Sequence, residues 1–239
     1  MLSERLARDA RFHVLVSFAG RTASLQTPAT AHRVGGFGGA DGLAAFLQRE
    51  RYDVLVDATH PFAAQMSDNA VRAAAQSGVP LIRVERPAWQ RAPGDDWRSV
   101  ASMREAALAL GSSPRRVFLS VGRQEVSAFA SAPAHDYLVR AIDAFDPGMP
   151  HARVIAARGP FALEDERALL QAERIEVVVS KNSGTDATYA KIIAARELGL
   201  PVVMVERPQL PPARLAAGVD EVLTWLDALH GAGVQRRGA

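Results

Sequence analysis

Short, continuous apolar runs rich in β-branched residues alternate with helical patterns along nearly the whole chain. We predict strands over residues 13–18, 53–57, 79–84, 116–121, 137–142, 152–155, 175–180 and 201–205. Runs without polar alternation are typical of strands that are buried on both faces, as in a parallel sheet. Apolar residues at helical spacing predict helices between the strands, and the last helix carries Leu215, Val219, Val222, Leu223, Leu226 and Leu229. This alternation favours right-handed βαβ units and a doubly wound α/β architecture.

The periodicity is interrupted near residues 85–99, where Pro87, Pro93, Gly94 and an Asp-Asp pair occur. We therefore predict two domains, a dinucleotide-binding-like N-terminal domain over 1–96 and a C-terminal α/β domain over 97–239. Residues 78–87 and 199–208 are similar to each other, and both end in Val-Glu-Arg-Pro. Unless this echo is coincidental, it indicates two Rossmann-like domains with mainly parallel sheets that face an interdomain cleft, where a ligand usually binds.

Composition excludes several kinds of chemistry. The chain of 239 residues contains no cysteine, so disulfides and thiolate nucleophiles are excluded, and its scattered histidines indicate no metal site. Its net charge of +2 does not indicate a nucleic-acid partner, and no apolar stretch is long enough to be a signal peptide or a membrane helix. We therefore expect a cytoplasmic protein without membrane or nucleic-acid partners. Lys181 and Lys191 are the only lysines; every other basic residue of fixed charge is Arg.

Two loops in the first half contain residues suited to a dinucleotide. If the first predicted strand is the second strand of a dinucleotide fold, Arg21 in the Gly20-Arg21-Thr22 turn faces the adenosine ribose. An Arg there suits the 2′-phosphate of NADPH, whereas an acidic residue would suit NADH. Four glycines in residues 35–39 would allow close approach of a ligand to the backbone. The candidate residues of this second loop are Gly36, Phe37 and Gly38.

A third loop follows the strand that ends at Asp57. Pro61 suits the first position of a helix, so Thr59 and His60 are expected at a helix N-terminus on the ligand side of the sheet. His60 could donate to a pyrophosphate or a carboxylate, act as an acid, or serve only as a cap. Asp57 is expected to bond loop amides.

In the second half, Arg123 and Arg158 each follow a predicted strand. Lys181 also follows a strand, and the small, donor-rich residues after it are typical of an anion site. This turn comprises Asn182, Ser183 and Gly184. The alternative is a surface lysine beside an ordinary turn.

These segments together resemble the precorrin-6A reductase family of cobalamin biosynthesis. The resemblance rests on the Ala-Gly-Arg-Thr turn and on residues 33–39, 57–63, 121–124, 158–161, 180–184 and 198–204, which occur in the family's order and spacing. It implies an oxidoreductase of two α/β domains that binds NADPH mainly on the first domain. Hydride would then pass to a double bond of precorrin-6A, an anionic tetrapyrrole, with Arg123, Arg158 and Lys181 as partners for its carboxylates.

The sequence leaves open the start of the chain, details of the reaction and two alternative functions. Family members usually begin with a strand and a glycine loop that precede the first helix. Here residues 1–8 resemble that helix, and the strand and loop before it are missing. Either the start is assigned too late or the chain is truncated. The resemblance names no proton donor or oligomeric state, and it does not say whether the substrate carries cobalt. The missing strand also motivates a non-catalytic or weakly active tetrapyrrole-binding protein, and a sugar-nucleotide transferase or epimerase is a third possibility.

Overall fold

A computed structural model of the chain describes the backbone of residues 2–20 and 30–237, and side chains through residue 231. These residues divide into two compact units. The first unit combines the chain up to Pro87 with the segment from Gln209 onward, and the second unit is Ala88–Pro208. The chain therefore leaves the first unit once and later returns to it.

The first unit contains short parallel strands and four helices within its described residues. Numbered in chain order along the whole protein, its elements are α1 Leu2–Ala7, β1 Val16–Phe18, β2 His32–Val34, α2 Gly39–Arg49, β3 Leu55–Asp57, α3 Ala64–Ser77, β4 Leu81–Val84, β11 Arg214–Ala216 and α7 Val219–Arg237. β1 pairs with β2, and β4 lies between β3 and β11. Ile82 of β4 packs with Leu6 of α1 and with Val222 and Leu226 of α7 in one apolar cluster.

The second unit is built on a six-stranded sheet with the order β5-β10-β9-β6-β7-β8. Its elements are β5 Trp97–Val100, α4 Met103–Ala109, β6 Arg116–Ser120, a 3₁₀ helix Arg123–Ser131, β7 Asp136–Ala141, β8 Ala152–Ala156, α5 Leu163–Ala172, β9 Val177–Lys181, a 3₁₀ turn Asp186–Thr188, α6 Ala190–Glu197 and β10 Val202–Val205. Val177, Val178 and Val179 in the middle of the sheet are at most 1% exposed. Every strand pairing between described residues is parallel, which confirms the predicted fold class.

Three strands differ from the sequence prediction. β2 and β5 were not predicted, and β11 occupies a stretch that was assigned to the last helix, so Leu215 lies on a strand and α7 begins only at Val219. Each of the three pairs with a single neighbour. An edge strand is covered less completely than a central one, so it can carry exposed residues, as these three do, and it does not need a continuous apolar run.

The helix predicted from Pro61 also begins later, at Ala64. Pro61 instead lies in a turn that is closed by a hydrogen bond from Ala63 N to His60 O, with an N···O distance of 2.7 Å. Thr59 and His60 therefore precede the helix by a full turn of chain rather than forming its first residues.

The observed division differs from the predicted boundary at residue 96. The segment from Gln209 belongs to the first unit because β11 pairs with β4, with Leu215 opposite Arg83. The expectation of a strand and glycine loop preceding residue 1 stays a prediction.

One ion pair lies inside the second unit. Arg140 of β7 donates to both carboxylate oxygens of Glu166 on α5, and the two side chains are 6% and 2% exposed. The Arg140 guanidinium also stacks on Phe161, 3.8 Å from the ring centroid. Removing one member of such a pair leaves a charge buried without its counter-charge.

Glu166→Gln should therefore lower the free energy of unfolding by about 3–5 kcal/mol, because Arg140 would keep its charge in the core. Glu164→Gln is the matched control, since Glu164 lies on the same helix and is exposed, and it should change stability by less than about 0.5 kcal/mol. Chemical denaturation of both variants measures the difference. Equal losses for the two variants would show that the buried pair contributes nothing specific.

Candidate functional site

The sheet of the second unit has a topological switch point between β6 and β9. From β6 the chain proceeds to β7 and β8 on one side, whereas from β9 it proceeds to β10 on the other side. In open α/β sheets, ligands bind outside the carboxyl ends of the strands at such a point, because the loops diverge there and leave a crevice. The residues that follow β6 and β9 are therefore the first candidates for a binding site.

Lys181 and Glu125 meet at this switch point. Lys181 ends β9, and its Nζ donates to Glu125 Oε1 at 2.8 Å and to Oε2 at 2.9 Å. Glu125 lies in the 3₁₀ helix after β6, and its Oε2 also accepts a hydrogen bond from Gly122 N. The two side chains are 16% and 27% exposed, so the ammonium group is held in place but still reaches solvent. Such a group can bind an anion by sharing or exchanging its carboxylate partner.

The remaining residues of the Lys181 turn have different positions. Asn182 is buried, its Oδ1 accepts from Trp89 N at 2.8 Å, and its Nδ2 donates to Trp89 O and to Glu206 Oε2. Both hydrogens of its amide are thus used within the protein, and the side chain anchors the turn. Ser183 is also buried, and Gly184 has a φ of 70°, which favours glycine.

The two candidate arginines lie beyond the carboxyl ends of strands of this sheet and are exposed. Arg123 follows β6, and its guanidinium lies 5.2 Å from the Phe145 ring centroid. Arg158 follows β8, in a segment that contacts the Lys181 turn through a hydrogen bond from Phe161 N to Ala187 O at 3.1 Å. The carboxyl edge of the sheet therefore brings Arg123, Arg158 and Lys181 to adjacent loops.

The first unit also presents its predicted residues at strand carboxyl ends. Gly20 follows β1 and has a φ of 71°, and Val34 Cγ1 would lie only 3.0 Å from a Cβ at this position. Gly36, Phe37 and Gly38 follow β2. Arg21 and Thr22 lie outside the described residues.

Arg33 on β2 organises the glycine-rich loop. Its guanidinium donates to Gly35 O, Gly36 O and Ser17 Oγ at 2.9–3.0 Å, and it lies 4.0 Å from the Phe37 ring centroid. In the sequence, Arg33 is marked only as part of residues 33–39, one of the segments that carry the resemblance. An arginine two residues before a glycine-rich loop is the signal that points to it, since its fork can bind several carbonyls at once.

Gly42, in the first turn of α2, was also missed. A Cβ on Gly42 would lie 1.8 Å from Phe37 O. The loop therefore folds directly against the start of the helix, and no larger residue fits at this position. Gly38 is the N-cap residue of α2, with a φ of 83°.

The third loop is anchored on Asp57, which is buried at the end of β3. Asp57 Oδ1 accepts from Thr59 N and Thr59 Oγ1, and Oδ2 accepts from Arg83 Nε at 3.1 Å. Burial alone would raise the pKa of Asp57, but hydrogen bonds from Thr59, Ser67 and Arg83 outweigh it and hold the pKa below its usual value. Asp57 thus shapes the loop, as expected.

His60 is exposed and follows Thr59, and its Nδ1 accepts a hydrogen bond from Phe62 N at 3.2 Å. In the neutral ring this bond places the proton on Nε2, which becomes the donor atom. Pro61 is buried beside it. Of the described residues, no three His, Asp or Glu side chains are grouped so that they could hold a metal ion. No helix in the described part of the chain is long and apolar enough to cross a membrane.

Comparison with known proteins places the chain in one family. The precorrin-6x reductase family CbiJ/CobK matches residues 1–227. A precorrin-6A reductase of Sinorhizobium sp is 50% identical over 231 residues, which cover 94% of this chain and 88% of that protein. The precorrin-6A reductase of Rhodococcus erythropolis is 46% identical over 232 residues, which cover 95% of this chain and 93% of that protein.

A solved structure, described as CobK precorrin-6A reductase, is also similar. It has a TM-score of 0.89 and 44% sequence identity, and the match covers 95% of this chain and 91% of that structure. Both the sequence and the fold therefore match over nearly the full length of the chain. The chain belongs to the precorrin-6x reductase family CbiJ/CobK.

Proposed function

We propose that this protein is an NADPH-dependent precorrin-6A reductase, which adds a hydride to one double bond of the macrocycle in cobalamin biosynthesis. Family membership over nearly the whole chain is the observation that carries the proposal. The adjacent loops with Lys181, Arg123 and Arg158 at one sheet edge support it, because the substrate is a polycarboxylate.

The first unit has features that fit a dinucleotide. α2 and α3 both begin behind strand ends, and in the described structure no side chain caps the first amides of either helix. Uncapped helix N-termini attract phosphate groups. A Cβ at Gly36 or Gly38 would meet no atom within 4 Å, so the glycine loop held by Arg33 leaves room for a ligand to approach the backbone. Gly20, Gly36, Phe37, Gly38, Thr59, His60 and Pro61 would line this nucleotide site. When bound, NADPH supplies the hydride, and a proton completes the reduction of the double bond.

Arg123, Arg158 and Lys181 would bind carboxylates of the tetrapyrrole, and Ser183 and Gly184 would shape the turn around Lys181. In the structure, the carboxylate of Glu125 accepts hydrogen bonds from the ammonium group of Lys181. A substrate carboxylate would therefore join or displace Glu125 at this ammonium. The fixed position of Lys181 lowers the entropy lost on binding.

The direct test is steady-state turnover of precorrin-6A with NADPH and with NADH. NADPH absorbance should fall only when precorrin-6A is present, and the rate with NADH should be lower. Arg21→Ala should reduce this preference, because Arg21 would pair with the 2′-phosphate. Saturable binding of NADPH and precorrin-6A without any turnover would contradict the proposal and indicate a binding protein.

Gly42→Ala tests the nucleotide site. The new Cβ would meet Phe37 O and displace the glycine loop, so the Kd for NADPH should rise about tenfold or more. Gly218→Ala is the matched control, since no atom lies within 4 Å of a Cβ at this position. Isothermal titration, with circular dichroism to establish folding, measures both variants. Unchanged NADPH affinity in a folded Gly42→Ala protein would exclude this loop from the nucleotide site.

Lys181→Met tests the substrate site. A charge-assisted hydrogen bond contributes about 1.5–3 kcal/mol, so the KM for precorrin-6A should rise at least about tenfold while the Kd for NADPH stays unchanged. Arg104→Met removes an exposed cation from α4 in the same unit and should leave both constants as they are. A KM equal to that of the wild type would remove Lys181 from the substrate site.

A further inference from the structure

Lys191, on α6, is a second lysine that the proposed function has not used. Its side chain is 2% exposed, and its Nζ donates to Thr188 O at 2.6 Å. The Nζ also lies 4.9 Å from the centroid of the Trp89 ring. A lysine is seldom buried this completely unless it has a specific partner, and here that partner is a backbone carbonyl.

The carbonyl that Lys191 binds ends the 3₁₀ turn Asp186–Thr188, which follows the Lys181 turn directly. On its other side, this 3₁₀ turn accepts the hydrogen bond from Phe161 N to Ala187 O at 3.1 Å. Gly159 approaches so closely that a Cβ there would lie 2.9 Å from Ala187 O. The 3₁₀ turn is thus the point of contact between the loop of Lys181 and the segment of Arg158.

The same region is fixed from beneath by the Arg140–Glu166 pair. Arg140 stacks on Phe161, whose backbone contacts the 3₁₀ turn. Both charged groups influence Lys191, Arg140 from β7 and Glu166 from α5. Three buried charged side chains therefore support the two loops from within the core, without reaching the site themselves.

We propose that Lys191 is a positioning residue: by holding Thr188 O, it fixes the loops that place Lys181 and Arg158 against the carboxylates of the substrate. This proposal rests on the proposed function for the identity of the substrate. It assigns Lys191 no contact with the substrate, since the side chain is enclosed by the protein. Its hydrogen bond acts on the substrate through the position of the 3₁₀ turn.

The charge that Lys191 places beneath these loops also depends on pH. Burial and, to a smaller extent, the charge of Arg140 lower the pKa of Lys191, Glu166 opposes them, and the resulting pKa is about 7. The unfolded chain keeps the ordinary lysine pKa near 10.5, so between pH 7 and that value the unfolded state binds more protons than the folded state. Stability therefore rises with pH across this window, and it is lost progressively as pH falls back to about 7. The neutral amine still donates to Thr188 O, but it no longer adds positive charge beneath the anion-binding loops.

Three variants separate the contribution of the hydrogen-bond donor of Lys191 from that of its charge. Lys191→Met keeps a long side chain but removes the donor and the charge. Lys191→Gln keeps an N–H donor that cannot titrate. Ile192→Val is the matched control, because Ile192 is fully buried on the same helix and its truncation lowers stability without touching Thr188.

Amide hydrogen exchange of residues 183–189 and 159–161 is the first measurement, and it requires no activity. Exchange in both segments should accelerate in Lys191→Met, less in Lys191→Gln, and not selectively in Ile192→Val. Equal protection of these segments in wild type and Lys191→Met would overturn the proposal.

Steady-state kinetics with precorrin-6A is the second measurement. In Lys191→Met the KM should rise about fivefold with kcat nearly unchanged, as expected when only binding geometry is lost. The wild-type KM should rise as pH increases through about 7, and this step should be absent in both Lys191 variants. A wild-type KM and pH profile in Lys191→Met would also overturn the proposal. A wild-type protein that does not turn over precorrin-6A would instead contradict the proposed function, and hydrogen exchange alone would then decide the role of Lys191.

Discussion

Every strand of the six-stranded sheet runs in the same direction, and its central strands are covered on both faces. In such a sheet, polar side chains can be accommodated only at the ends of strands or at interior positions where a charged group has a partner. Lys181 is the last residue of β9, and Glu125 lies just beyond β6. Arg140 lies inside the sheet and is accordingly paired with Glu166. The chemistry of the second unit is therefore concentrated at the carboxyl edge, and the switch point between β6 and β9 provides the opening there.

The same constraint explains which strands the sequence could predict. Continuous apolar runs correspond to eight of the eleven strands in the described residues, including every strand that has a neighbour on both sides. The three strands without such a run, β2, β5 and β11, are edge strands that contain exposed residues. Their existence depends on a neighbour that offers free backbone groups, which is a property of the assembled sheet. Leu215 illustrates this, since it continues the apolar spacing of the last helix and yet pairs with β4.

The domain division shows a similar limit. The echo between residues 78–87 and 199–208 predicted related structure, and each stretch does contain a strand, β4 or β10, that ends at a Val and is followed by Glu-Arg-Pro. The two prolines, Pro87 and Pro208, are also the residues at which the chain passes between the units. A local pattern could mark both crossing points, but it could not show that the segment after the second one rejoins the first unit. That return depends on β11 pairing with a strand about 130 residues earlier, to which no local signal points.

The candidate site was predictable where a residue type was unusual and not where its role depends on partners. Lys181 stood out because lysine is rare in this chain, whereas Glu125 and Gly42 became visible only through their contacts, and Asn182 proved to be an anchor.

The rarity of lysine also has a physical explanation at Lys191. Arginine keeps its charge in proteins and presents a wide planar fork, whereas lysine is compact and can lose its proton when it is buried. A single carbonyl enclosed by Trp89 and the 3₁₀ turn suits an amine that can become neutral, and a permanently charged fork would leave donors unsatisfied there. In a chain whose other basic residues of fixed charge are all arginines, both lysines thus lie on one strand-turn-helix segment. Lys181 ends the strand β9, and Lys191 lies on the helix α6.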